Sequence, residues 1–387
     1  MFGDARRGGW PIQAPGLRYE RTLVGLLICI AAVALRLWLS WRSPASYDMK
    51  WYWAGISADL ERGARLYEDT PYHFSPVWSW LLLLFGKASR WGLPFDATLR
   101  TFLTVVDILS AWLLFRLARR ERPEGWPWKA AVLFLTNPVS IWVSSVQGQF
   151  DNLSLLFLLA ALLVSGERDG RDPQTSRRSG PFLFLSIAAK QVTVFHPILW
   201  LRSRRDVSTV VVAYLGTTLL FLPYARQWRA ILDRLAFYSS VPRSYGFSEF
   251  VLFDSRWAPV VSVIDLVAAV ATAWTLRKEK LSRASLLLFL VILLFAPGLG
   301  SQYLIWPLTV GALFGGARYF LFTAASMTWI LGWHYEIPGS GRWMGHLTWL
   351  SCGLWAIGEL RALENPGRFA RVFRGQTRPG GRSDSPA

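Results

Sequence analysis

Residues 129–146 read KAAVLFLTNPVSIWVSSV, residues 147–152 read QGQFDN, and residues 153–166 read LSLLFLLAALLVSG. Two apolar runs thus flank a six-residue polar link, Gln147-Gly148-Gln149-Phe150-Asp151-Asn152. A membrane crossing takes roughly 20 predominantly apolar residues, so the runs read as neighbouring spans. A link that only had to turn needs Gly, Ser or Asn. This one carries two glutamines and an unpaired carboxylate, Asp151, placed to bind something polar at a membrane surface.

The same pattern extends over the 387 residues, of which 52% are hydrophobic and 17% charged. A soluble protein carries about 25% charged residues, and here the apolar ones are gathered into long runs. The chain therefore reads as an all-α polytopic membrane protein of roughly 10–12 transmembrane or re-entrant helices. Spans are expected at about 22–41, 98–118, 129–146, 150–166, 207–222, 257–276, 283–296, 301–314, 318–333 and 342–361. No small-residue cleavage site follows Thr22–Trp41, which reads as a retained span. The 22 Trp suit interfacial anchoring. Cys29 and Cys352 fall inside predicted spans and read as small buried apolar residues.

The net charge of +17 admits two partners, nucleic acid or an anionic membrane. Because Lys and Arg sit in short links between spans, membrane lipids are expected and nucleic acid is not. Residues 180–201 are broken at Lys190-Gln191 and by Pro197, giving either one crossing or a re-entrant hairpin with Lys190 at its tip. The hairpin keeps the basic links 167–179 and 202–206 on one side. Ser75–Leu84 either lies along the interface or crosses. With the hairpin and an interfacial 75–84, 27 of the 42 Lys and Arg fall in cytoplasmic segments, as the positive-inside rule requires. Both termini are then cytoplasmic, and Asp48, the 147–152 link and Pro297–Gln302 share the outer side. Residues 1–373 form one transmembrane domain, with outer loops 42–75 and 223–256 building the site. The tail 374–387 is polar and expected to be disordered.

Several residues are candidates for chemistry. Asp48 follows the first span in Ser-Tyr-Asp-Met-Lys-Trp-Tyr-Trp, ahead of a run to Gly63 that can lie on the membrane with Trp51, Tyr52 and Trp53 at headgroup depth. Its carboxylate is either a general base for an acceptor hydroxyl or a helix cap. Lys190, an ammonium in an apolar stretch, either meets an anionic group or snorkels to the interface. Pro297-Gly298 opens either an anion-binding helix start with Gln302 and Tyr303 or a simple polar turn. Arg243, Tyr245 and Glu249 lie in the long outer segment 223–256, and His73 in Tyr-His-Phe-Ser-Pro. There is no Gly-Lys-Ser/Thr phosphate loop, no His-Glu-x-x-His and no cysteine cluster.

Five places together resemble the GT-C superfamily of integral membrane glycosyltransferases, in particular the GPI mannosyltransferase I catalytic subunits and related bacterial polyprenyl-phosphate-dependent enzymes. They are Asp48; Leu66-Tyr67 leading to Tyr72-His73-Phe74-Ser75-Pro76; Asn137-Pro138 with Gly148 to Asp151; Ala189-Lys190-Gln191 with Pro197; and Pro297-Gly298 with Gln302-Tyr303-Leu304-Ile305-Trp306. The likeness runs from about residue 20 to 310. One departure stands out: the mannosyltransferases carry Asp-x-Asp where this chain reads Ser46-Tyr47-Asp48, so support for a bound divalent cation is weaker.

The resemblance implies a hexose, mannose favoured, moved with inversion from a polyprenyl-phosphate donor to a lipid, glycan or protein acceptor outside a bacterial cytoplasmic membrane. It makes Asp48 the base. Lys190, Arg243, Gln302 and Tyr303 would bind the donor phosphate. Gln149, Asp151, Asn152, Gln191, His73, Tyr245 and Glu249 would hold sugar or acceptor. A lipid-sugar flippase or a polysaccharide ligase is the competing expectation. A transporter would show related halves and a site near the midplane, and the two halves share no visible repeat.

Overall fold

The computed structural model describes residues 15–122, 125–166, 173–236, 258–298, 300–337 and 340–364. Of these, 81% are helical and none lies in a strand. In lipid, helices satisfy their own backbone polar groups, which is why an apolar chain of this kind is built from them. The helices are α1 (Pro15–Arg42), α2 (Ala54–Glu61), α3 (Pro76–Arg90), α4 (Phe95–Glu121), α5 (Trp128–Leu135), α6 (Pro138–Ile141), α7 (Asp151–Val164) and α8 (Pro173–Ala189). They continue with α9 (His196–Leu199), α10 (Val207–Leu219), α11 (Trp228–Ala236), α12 (Ala258–Leu276), α13 (Leu281–Phe295), α14 (Ile305–Gly311), α15 (Ala317–His334) and α16 (Ser340–Glu364).

Three helices among the described residues are long and apolar enough to cross a membrane, in α1, α4 and α12, and five spans result if each of two bent pairs counts as one. The apolar windows of α1 and α12 are only 22% buried. They turn Leu27, Ile30, Val263 and Val267 outward, an arrangement that calls for lipid against them. By contrast, α13 is enclosed, with Leu286, Leu288, Phe289 and Leu290 all shielded, packed by α12, α14 and α16.

The expected span 129–146 is a bent pair, turned by 55° between α5 and Pro138–Val146. Pro138 lacks the N–H that would continue the helix. Asn137 caps the new start: its side-chain oxygen accepts from the amides of Val139 (3.0 Å) and Ser140 (3.3 Å). Its Nδ2 donates to Tyr319 (2.9 Å) and Thr323 (3.0 Å) on α15, fixing the bend against a third element.

Two sequence expectations change. The stretch 301–314 is no single span but a 3₁₀ turn, Ser301–Leu304, followed by the short α14. The run 207–222 ends at Leu219 and bends by 59° into Leu222–Leu235. Trp53 of the first loop is buried, standing edge-on to Trp78 and Phe150 at 5.8 and 5.5 Å. Within 180–201 the chain breaks at Lys190: α8 stops at Ala189, Lys190 is extended, and a 3₁₀ turn at Gln191–Thr193 follows. The tail 374–387 lies outside the described residues.

Two hydrophobic cores result. One is the aliphatic interior of the bundle around α13. The other is an aromatic core of the first loop and α3, including Trp53, Tyr67, Tyr72, Phe74 and Trp78. Phe150 of the polar link belongs to this second core, stacked on Trp78 at 4.0 Å. Aromatic packing thereby joins the first loop to the 147–152 link.

Candidate active site

The loop bearing Asp48 is fixed before Asp48 is reached. Arg100 of α4, fully buried, donates to the carbonyls of Ser43 (2.7 Å) and Pro44 (2.5 Å), holding the turn that leaves α1. Ser46 then donates to the Gln147 carbonyl at 2.8 Å, and Met49 packs beneath Gly148. Gly148 has φ +71°, and a Cβ there would stand 2.5 Å from Met49 Sδ. Only glycine meets both demands.

These contacts bring Asp48, at the start of a π-turn over Asp48–Trp53, beside Gln149, whose Nε2 donates to Asp48 Oδ2. The Asp48 side chain accepts from Gln149 rather than capping the helix that follows. A cavity of about 750 Å³ opens against it, walled also by Trp142, Gln147, Ser301, Gln302, Trp329, Trp333 and His334. Gln147 and Ser301 clasp across this wall, amide to hydroxyl, at 3.1 Å. Burial raises the Asp48 carboxyl above the usual carboxylate range, opposed by the Gln149 hydrogen bond and the charge of Lys190.

Behind this wall lies a second layer of charge. Asp151 is not unpaired, as its sequence context suggests: Lys190 Nζ stands 2.6 Å from its Oδ2, and Trp306 Nε1 donates to its Oδ1 at 2.8 Å. The pair is buried, and the ammonium faces the rings of Phe150 (4.7 Å), Phe74 (5.3 Å) and Tyr303 (5.5 Å). Lys190 is thus engaged in the protein and does not line the cavity. Tyr303 is likewise part of its aromatic surround.

The remaining candidates separate. Asn152 turns into the bundle, donating to Asp107 Oδ1. Asp107 is the counter-ion of Arg36, at 2.5 Å with both side chains shielded. Gln191 donates to the His73 carbonyl at 3.0 Å, and His73 Nδ1 meets Tyr52 Oη at 2.7 Å; neither lines the cavity. Burial lowers the His73 imidazole to about 4. Arg243, Tyr245 and Glu249 lie outside the described residues. Of the sequence candidates, Asp48, Gln149 and Gln302 share the cavity.

Sequence reasoning marked Gln147 only as part of the polar link, and missed Ser301, Arg100 and the α15 aromatics Trp329 and Trp333. Arg36 and Asp107 were legible as ionisable residues inside apolar runs, a recognised signal. Among the described residues no group of three or more His, Cys, Asp or Glu is placed to hold a metal ion. No protein-family model matches this chain, and no curated protein sequence matches it.

Proposed function

We propose that this chain is a membrane glycosyltransferase of GT-C type, moving a hexose from a polyprenyl-phosphate donor to an acceptor hydroxyl at the extracytoplasmic face. The observation that carries this reading is Asp48, a half-buried carboxylate oriented by Gln149 at the wall of a cavity large enough for a sugar. The acceptor oxygen attacks the anomeric carbon, the bond from that carbon to the phosphate oxygen breaks, and the polyprenyl phosphate leaves with the electron pair. The acceptor proton passes to Asp48, and attack opposite the leaving group inverts the configuration.

A raised proton affinity suits that task, since a general base works best with a pKa near the operating pH. Gln302 and Gln147 offer donors toward sugar or acceptor hydroxyls. Lys190 acts through Asp48 and Asp151 in this reading, holding the ionised base by its charge. Wild type and Asp48→Asn in proteoliposomes, given labelled polyprenyl-phosphate mannose or glucose and membrane extract as acceptor source, test it. Transfer by wild type and a loss of about 100-fold in the variant are expected. An Asp48→Asn protein as active as wild type overturns the assignment of the base.

A further inference from the structure

The Asp48 cavity has an unusual charge balance for a site expected to serve a phosphate-linked donor. Asp48 is the one Asp, Glu, Lys or Arg on its wall among the described residues. The cation that acts on Asp48, Lys190, is already ion-paired with Asp151 and lies beneath Phe150. Among the described residues, an anion entering this space would meet a carboxylate with no Lys or Arg on the wall to offset it.

The rest of the wall suits an uncharged ligand. Trp142, Trp329 and Trp333 bring three indoles to one space, and such rings offer broad apolar faces to the C–H face of a sugar ring. Besides Asp48 the polar groups include Gln147, Gln149, Gln302, Ser301, Tyr47 and His334, whose side chains can donate and accept, as sugar hydroxyls also do. A mostly apolar cavity with a few convergent neutral polar groups fixes orientation without selecting for charge.

We infer that this cavity takes an uncharged, ring-bearing polyol, the glycoside acceptor, and that the donor phosphate is seated outside it. The inference rests on the glycosyl-transfer reading for the word acceptor, and on the cavity alone for the ligand class. Acceptors bearing phosphate or carboxylate beside the reacting hydroxyl are excluded. The electrostatic cost of such a group falls on Asp48, the residue that must stay ionised.

The test uses the full chain in phosphatidylcholine nanodiscs at about pH 8, above the range in which an unperturbed imidazole titrates. Two probes are compared, a diazirine-bearing octyl glucoside and a diazirine-bearing octyl phosphate, with labelled peptides mapped by mass spectrometry. The glucoside probe is expected to label peptides containing 142–149 or 329–334, with excess unlabelled octyl glucoside suppressing it. The phosphate probe should label them less by about tenfold, the scale of one uncompensated charge contact. In Asp48→Asn the phosphate probe should gain labelling, and in Trp333→Ala the glucoside probe should lose it.

Equal or stronger labelling of wild type by the phosphate probe overturns the inference, as does glucoside labelling that excess glucoside leaves intact. Sugar transfer is read separately on the same preparation. Competed labelling without transfer supports the ligand class and removes the catalytic reading. Transfer without cavity labelling removes the cavity assignment alone.

Discussion

Lys190 Nζ and Asp151 Oδ2 lie 2.6 Å apart with both side chains shielded from solvent, directly behind the wall that carries Gln149. The pair joins the break after α8 to the first turn of α7. Breaking a buried pair from one side strands the other charge, at a cost of about 3–5 kcal/mol. Lys190→Met and Asp151→Leu should each lower the thermal midpoint in nanodiscs, whereas the double variant should lose less than the sum. Additive losses would show that the two groups are not coupled.

Gly148→Ala tests the closeness of the first loop to the link. Its positive φ and its distance to Met49 both oppose a side chain, so transfer activity should fall. Adding Met49→Ala removes the clash but not the backbone strain of about 1–2 kcal/mol. Partial recovery in the double variant is the expected result, measured as sugar transfer at equal protein.

The pH dependence follows from which form of Asp48 is needed. In the proposed transfer the ionised carboxylate is the base, so activity is expected to rise with pH through its pKa, which burial has moved upward. Gln149 donates to the ionised form and holds that pKa down. Gln149→Leu should therefore move the acid limb of kcat/KM to higher pH. His73, lowered to about 4 by burial, stays neutral between about pH 5 and 8, and His73→Asn should leave the shape of the profile unchanged there.

Asn137→Ala removes a helix cap and two hydrogen bonds to α15. A cap alone is worth about 1 kcal/mol, up to 2. The variant should melt earlier, and its activity should fall at temperatures where wild type is still folded, because the bend carries Trp142 and Gln147 to the cavity. Calorimetry alongside a transfer assay checks both.

The helices were legible where apolar runs are long and flanked by charge, as in α1, α4 and α12. They were misread where a proline or glycine interrupts the run, because length alone does not say whether Asn137-Pro138 or Pro297-Gly298 bends a helix or ends it. Asp48 and Gln149 stood out as polar residues at the ends of apolar runs, and the structure brings them together. The pairing of Asp151 with Lys190 was hidden, since the two lie 39 residues apart in the chain. Trp329 and Trp333 looked like ordinary interfacial anchors, because indole spacing on a helix does not reveal that α15 faces the first loop.

Arg36 has a consequence for how the chain is made. Its guanidinium, in the first span, is met by Asp107 and by the Ser140 and Ser144 hydroxyls, 71 to 108 residues further along. At synthesis rates of about 5–20 residues per second, that interval lasts roughly 4–20 s. Until then α1 holds a charge without its counter-ion in an apolar stretch, an arrangement that is costly in lipid. The first apolar helix therefore acquires its counter-ion only once α4 has been made, since Asp107 lies on that helix.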